Sequence, residues 1–142
     1  MTVRLHGRGG RLDRRRLRKH AVRLLREVGR PTAELSIALV DDAAIAELNA
    51  RYRGIEAATD VLSFSLLEGA YADRRGDLLG DVVVSLDTAA VQARRGRRSL
   101  DDEVLRLLIH GTLHLLGHDH ERDDEARRMR AEERRVWKAL QG

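Results

Sequence analysis

Between Ser99 and Leu116 the chain carries a run that is apolar almost all the way round a helix, and the same run carries two histidines. Val104, Leu105, Leu107, Leu108, Ile109, Leu113, Leu115 and Leu116 leave nearly no polar face, so a helix built from them has to cross the middle of the molecule. Ser99 with Asp102 makes a start resembling a capping box. Imidazoles in such a helix are costly to bury unless a metal or a hydrogen bond satisfies them. His110 and His114 stand four residues apart, about 40° around the axis and about 6 Å along it, so both can reach one ion. Gly117 can take the left-handed conformation that ends a helix, fold the chain back and bring His120 in as a third ligand.

The full frame is H-x-x-x-H-x-x-G-x-x-H, from His110 to His120. Three protein ligands leave one position open, the arrangement of a catalytic zinc site, and one Zn2+ per chain is the expected cofactor. Zinc leads because neutral imidazoles suit it and the chain has no cysteine. His118 breaks the ligand spacing and reads as a neighbour of the site. Metzincin-type zinc proteases share this frame but carry a glutamate after the first histidine as general base. Here that position is Gly111, which cannot accept a proton, and neither Met1 nor Met129 sits where a Met-turn belongs. A metallopeptidase is the weakest of three readings.

Four blocks give the chain a wider likeness: Leu48-Asn-Ala-Arg-Tyr-Arg53-Gly, Thr59-Asp60-Val-Leu-Ser-Phe64, Leu79-Gly80-Asp81-Val, and the histidine frame. Together they resemble the YbeY family of bacterial rRNA maturation factors, which are regarded as metal-dependent, single-strand-specific endoribonucleases. The likeness spans about residues 34 to 138. It implies zinc on His110, His114 and His120, and a functional arginine at Arg53, with His114 and Arg53 carrying the catalysis. It further implies single-stranded RNA as substrate, above all rRNA (the 3′ end of 16S rRNA), a part in ribosome quality control, and the small ribosomal subunit and its proteins as partners. One departure is visible: after Ser63-Phe64 the family commonly has proline, whereas this chain continues Ser65-Leu66-Leu67, which leaves the path of the next loop open.

The proton-transfer group is not singled out by spacing. Asp60, Asp81 and Asp119 all qualify, as base or as partners orienting a histidine, and water or the 2′-hydroxyl of the substrate would also serve. Net charge is +4, carried almost wholly by arginine, with Lys19 and Lys138 the two lysines. Guanidinium forks match phosphate oxygens, so this balance suits an RNA partner, although arginine-favouring codons would produce it too. The densest basic stretch, Arg94-Arg95-Gly96-Arg97-Arg98, is the best local candidate for RNA backbone contact, against the plainer reading of a solvated turn. The exposed face of the first helix, with Arg14, Arg15, Arg18, Lys19, Arg23 and Arg26, poses the same choice. Few aromatics are present (Tyr52, Phe64, Tyr71 and Trp137), so a stacking sheet of the RRM kind is not expected.

The pattern predicts one α+β domain over residues 1–142: a small mixed sheet of about four strands packed with about five helices, the histidine-bearing one central. Val3 with Leu5, then Leu35-Ile37-Leu39, Val61–Phe64 and Leu79–Leu86 read as strands. Helices are expected after Asp13, with Leu17, Ala21, Leu24, Leu25 and Val28 inward, and after Asp41 or Asp42, with Ile45, Leu48 and Tyr52 inward. Another should follow Asp87, burying Ala90, Val91 and Ala93. The last begins at Asp123-Asp124, with Trp137 in the core. A polar, glycine-containing loop is expected over Glu68–Asp77. No leader-like apolar run opens the sequence and no stretch of about 18 apolar residues follows, so a cytoplasmic location without membrane attachment is the expectation. A metal-dependent endoribonuclease leads, and a non-catalytic ribosome-assembly or rRNA-binding factor with a structural zinc is second.

Overall fold

The computed structural model describes residues 3–7, 11–65, 78–119 and 121–141. Four strands form one mixed sheet in the order β1-β2-β4-β3, comprising β1 (Val3–His6), β2 (Glu34–Val40), β3 (Val61–Ser65) and β4 (Leu78–Ser85). The pairs β1-β2 and β2-β4 are parallel, while β3 runs antiparallel to β4 at one margin of the sheet. Five helices pack with it: α1 (Arg14–Glu27), α2 (Asp42–Arg53), α3 (Leu86–Arg95), α4 (Leu100–Leu115) and α5 (Asp123–Gln141). This is the expected α+β architecture. The loop expected over Glu68–Asp77 and the departure at Leu66-Leu67 lie outside the described residues.

Alternation sets the two faces of the sheet. Leu35, Ile37 and Leu39 are buried and stand opposite Gly80, Val82 and Val84 of β4, and residues paired across strands share a face. That face receives α4, which contacts β3, β4, α1, α3 and α5 and so occupies the centre, as its apolar circumference requires. The closest approach is at Gly111. A Cβ placed there would fall 2.8 Å from Val82 Cγ1, 2.9 Å from Ser63 Oγ and 3.2 Å from Val61 Cγ2. The Ser63 hydroxyl also donates to the Gly111 carbonyl at 2.7 Å. Glycine therefore stands at 111 because the helix backbone lies against the sheet, which gives a packing reason for the residue found where a metzincin glutamate would be.

Helix starts follow side-chain capping. Asp13, Asp41 and Ser99 each accept the backbone N–H three residues on. The start of α3 differs from expectation: Ser85, not Asp87, is its cap, and β4 ends one residue earlier than predicted. Asp87 instead accepts the N–H of Asp42, while Asp42 accepts the hydroxyls of Ser85 and Thr88, each at 2.6 Å, so the starts of α2 and α3 are tied together. Two predicted inward residues are not inward. Tyr52 is 55% exposed and Val91 36% exposed, their places being taken by Asn49 and Ala89. Trp137 is half-buried, packed against the core without being enclosed by it. No helix among the described residues is long and apolar enough to cross a membrane.

Candidate active site

His110 and His114 lie side by side on the last turns of α4. Their Nε2 atoms are 3.2 Å apart and their rings stand at 77° with centroids 4.7 Å apart. Two nitrogens each about 2.0–2.1 Å from one tetrahedral zinc stand about 3.3–3.4 Å apart, so the two imidazoles already have the spacing of two ligands. Behind them, Glu133 of α5 brings Oε2 to 3.4 Å from His110 Nδ1. A carboxylate only accepts hydrogen bonds, so this contact favours the proton on Nδ1 and leaves the Nε2 lone pair for a metal. Glu133 was not legible in the sequence, because it lies 23 positions from His110 and has no fixed spacing to it.

The turn after α4 forms as expected. Gly117 has φ +96°, its N–H donates to the His114 carbonyl, and the His118 N–H donates to that of Leu113. This paired arrangement closes a helix and reverses the chain. His120 lies outside the described residues, and among those described no third ligand of the histidine, cysteine or carboxylate type converges.

The imidazoles open onto a cleft of about 590 Å3 shared with Arg53, Asp60 and Ser63. It runs along β3, the marginal strand, and is built from both faces of the sheet. Ser63 faces α4, whereas Phe64 points to the opposite face, where Arg53 lies with its guanidinium carbon 4.9 Å from the centre of the ring and Tyr52 meets that ring edge-on. Arg53 ends α2, capped by Gly54, and donates from one terminal nitrogen to the Ser63 carbonyl at 2.8 Å. Stacking and hydrogen bond together fix its planar head at the cleft wall.

Of the three candidate aspartates, the cleft contains one. Asp60 opens β3 and accepts the Val61 N–H at 2.7 Å and the Gln92 amide at 3.2 Å. Asp81 is excluded by strand parity: it pairs with Phe64 between Gly80 and Val82, both of which face α4, so it points to the sheet face opposite the imidazoles. Asp119 lines a separate cleft of about 450 Å3 with His118 and Arg128.

The basic stretch divides. Arg98 Nε donates to Glu103 at 2.7 Å and Arg106 donates to the same carboxylate at 3.0 Å; Glu103 is only 1% exposed. Arg98 is thus the counter-charge of a buried acid, while Arg94, Arg95 and Arg97 are exposed. On α1, Arg23 donates to the Ala139 and Leu140 carbonyls at the end of α5, so it serves that helix terminus and not the solvated face.

The geometry defines a class: a small α+β protein with paired imidazoles on its central helix and an arginine-walled cleft at the sheet margin. Residues 10–141 match the family model described as endoribonuclease YbeY, and the chain belongs to the YbeY family. An endoribonuclease YbeY from Anaeromyxobacter sp. strain Fw109-5 is 54% identical over 98% of this chain and 72% of its own length. That of Geobacter sulfurreducens is 43% identical over 89% and 86%. Among solved structures, TM1509 from Thermotoga maritima, determined in solution, aligns with a TM-score of 0.66 at 28% identity, covering 97% of this chain and 88% of that one.

Proposed function

We propose that this protein is a zinc-dependent, single-strand-specific endoribonuclease acting in the cytoplasm on rRNA precursors, including the 3′ end of 16S rRNA, and in ribosome quality control with the small subunit as partner. The observation that carries the reading is the cleft lined both by two imidazoles whose nitrogens stand 3.2 Å apart and by an arginine bonded to the Ser63 carbonyl. Relatives described as endoribonucleases, at 43–54% identity over most of the chain, support it.

His110, His114 and His120 would hold the ion. When bound, zinc supplies a Lewis acid that polarises a phosphoryl oxygen and lowers the pKa of a water. Glu133 holds the His110 ring by its Nδ1–H. Arg53 offers paired donors to the charge that gathers on the phosphorus oxygens as the P–O bond breaks. Asp60 is the aspartate of the cleft able to take a proton, and its Oδ atoms already accept from Val61 and Gln92. Opening onto the strand edge, the cleft is suited to a single strand whose backbone can bend into it.

The test is cleavage of single- and double-stranded RNA by the zinc-loaded protein beside His114→Ala and Arg53→Ala. Loss of one preorganised donor costs about 10²–10³ in kcat, so Arg53→Ala should fall by that amount and His114→Ala further, with duplex RNA resistant. Cleavage unchanged in both variants would assign the activity to a contaminant. RNA binding without any cleavage would favour the assembly-factor reading, and chelator-sensitive casein hydrolysis the peptidase.

A further inference from the structure

The site cleft does not end at the histidines. Asp60 and His110 also line a second cleft of about 540 Å3, which reaches Arg95, Arg98 and Arg106. Arg98, Arg106 and Glu133 in turn line a third, again of about 540 Å3, between α4 and α5. Their shared lining residues set the three clefts side by side in a series leading away from the imidazoles. In the far cleft, α5 presents Arg130, Glu133, Arg134 and Trp137 at helical spacings of three and four, hence on one face.

These groups differ in how their charge is used. Arg98 and Arg106 both pair with buried Glu103 and share its single negative charge, and Glu133 is turned to His110. Arg130 and Arg134 are exposed and have no ion-pair partner among the described residues. They share one helix face and one cleft with Trp137, which is half-buried, packs on the core and also forms a wall of the cleft. Unpaired guanidinium groups beside an aromatic face in a space of nucleotide size are what a base with its flanking phosphates requires. An acidic peptide would satisfy the charge but leave the ring without use.

We propose that the cleft between α4 and α5 is a nucleotide subsite, in which a base remote from the scissile phosphate stacks on Trp137 while Arg130 and Arg134 take the adjoining phosphates. This rests on the ribonuclease reading of the histidine cleft and assigns the path of the strand beyond it.

Trp137 is the sole tryptophan of the chain, so tryptophan emission comes from this one position, at the cleft wall. The zinc-loaded protein is titrated with a single-stranded 2′-O-methyl oligouridylate, with an abasic oligonucleotide of equal length, and with polyglutamate of equal charge. Saturable quenching by the first and little by the others is expected. Arg130→Gln with Arg134→Gln should weaken binding roughly tenfold and reduce the log–log salt slope by about 1.4, the loss of two single-strand phosphate contacts. Trp137→Leu should weaken binding by between about 5- and 150-fold, with its melting temperature measured alongside because the ring also touches the core. Equal quenching by the abasic strand or by polyglutamate, or unchanged affinity in the double arginine variant, overturns the subsite. RNA cleavage by the unsubstituted protein without such quenching removes the subsite and keeps the ribonuclease reading. Failure both to bind and to cleave RNA removes the two together.

Discussion

A single methyl group added at position 111 tests whether the contact of α4 with the sheet sets the site. In an unhindered helix interior, Gly→Ala stabilises by about 1 kcal/mol through propensity. Here the new Cβ would stand 2.8 Å from the Val82 methyl and 2.9 Å from the Ser63 hydroxyl. Val82 is fully buried, and its branched side chain has little freedom to turn aside. Overpacking of this kind costs about 1–3 kcal/mol, and displacing the Ser63 hydroxyl from the Gly111 carbonyl about 0.5–1.5 more. Set against propensity, Gly111→Ala should destabilise by between about 0.5 and 3.5 kcal/mol. It should also lower RNA cleavage, since α4 must shift relative to Arg53, which is tied to β3. Urea unfolding followed by circular dichroism measures the first effect. Adding Val82→Ala removes the clashing methyl, so the double variant should be more stable than the sum of the singles by about 0.5–3 kcal/mol. A Gly111→Ala protein more stable than the parent would refute the close-contact argument, because propensity alone would then account for the residue.

Two further outcomes follow from the hydrogen bonds. Glu133→Gln keeps shape but loses the carboxylate facing His110 Nδ1, and zinc affinity should fall about 10- to 100-fold in competition with a chromophoric chelator; unaltered affinity would make Glu133 a surface residue. The hydroxyls of Ser85 and Thr88 hold the Asp42 carboxyl below its ordinary value of 3.8. A depressed pKa means the contribution of Asp42 is fully present above that value and is lost as pH falls through the lower, folded one. Unfolding curves between pH 2.5 and 6, as a window of about the carboxylate range, should therefore show a shallower acid loss of stability in Asp42→Asn, and identical slopes would remove Asp42 from the account.

Much of the site was written in short-range pattern. The caps at Asp13, Asp41 and Ser99, the inward stripe of α1, the spacing of His110 and His114 and the reversal at Gly117 all depend on neighbours within a few residues, and all are where the pattern puts them. Tyr52 and Val91 were misread because an apolar residue on a short helix does not reveal which side the rest of the protein covers.

What the sequence determined by itself was a buried helix carrying two imidazoles on one side, since helical periodicity and the cost of exposing so many leucines leave no other place for it. Tertiary structure decided which distant groups meet those imidazoles. Strand parity sent Asp81 to the far face and kept Ser63 on the near one, the marginal place of β3 let Arg53 reach the same cleft from across the sheet, and the packing of α5 on α4 brought Glu133 to His110. Such meetings depend on register and on which surfaces pack, which are set by the sum of many contacts along the whole chain and leave no local mark in it.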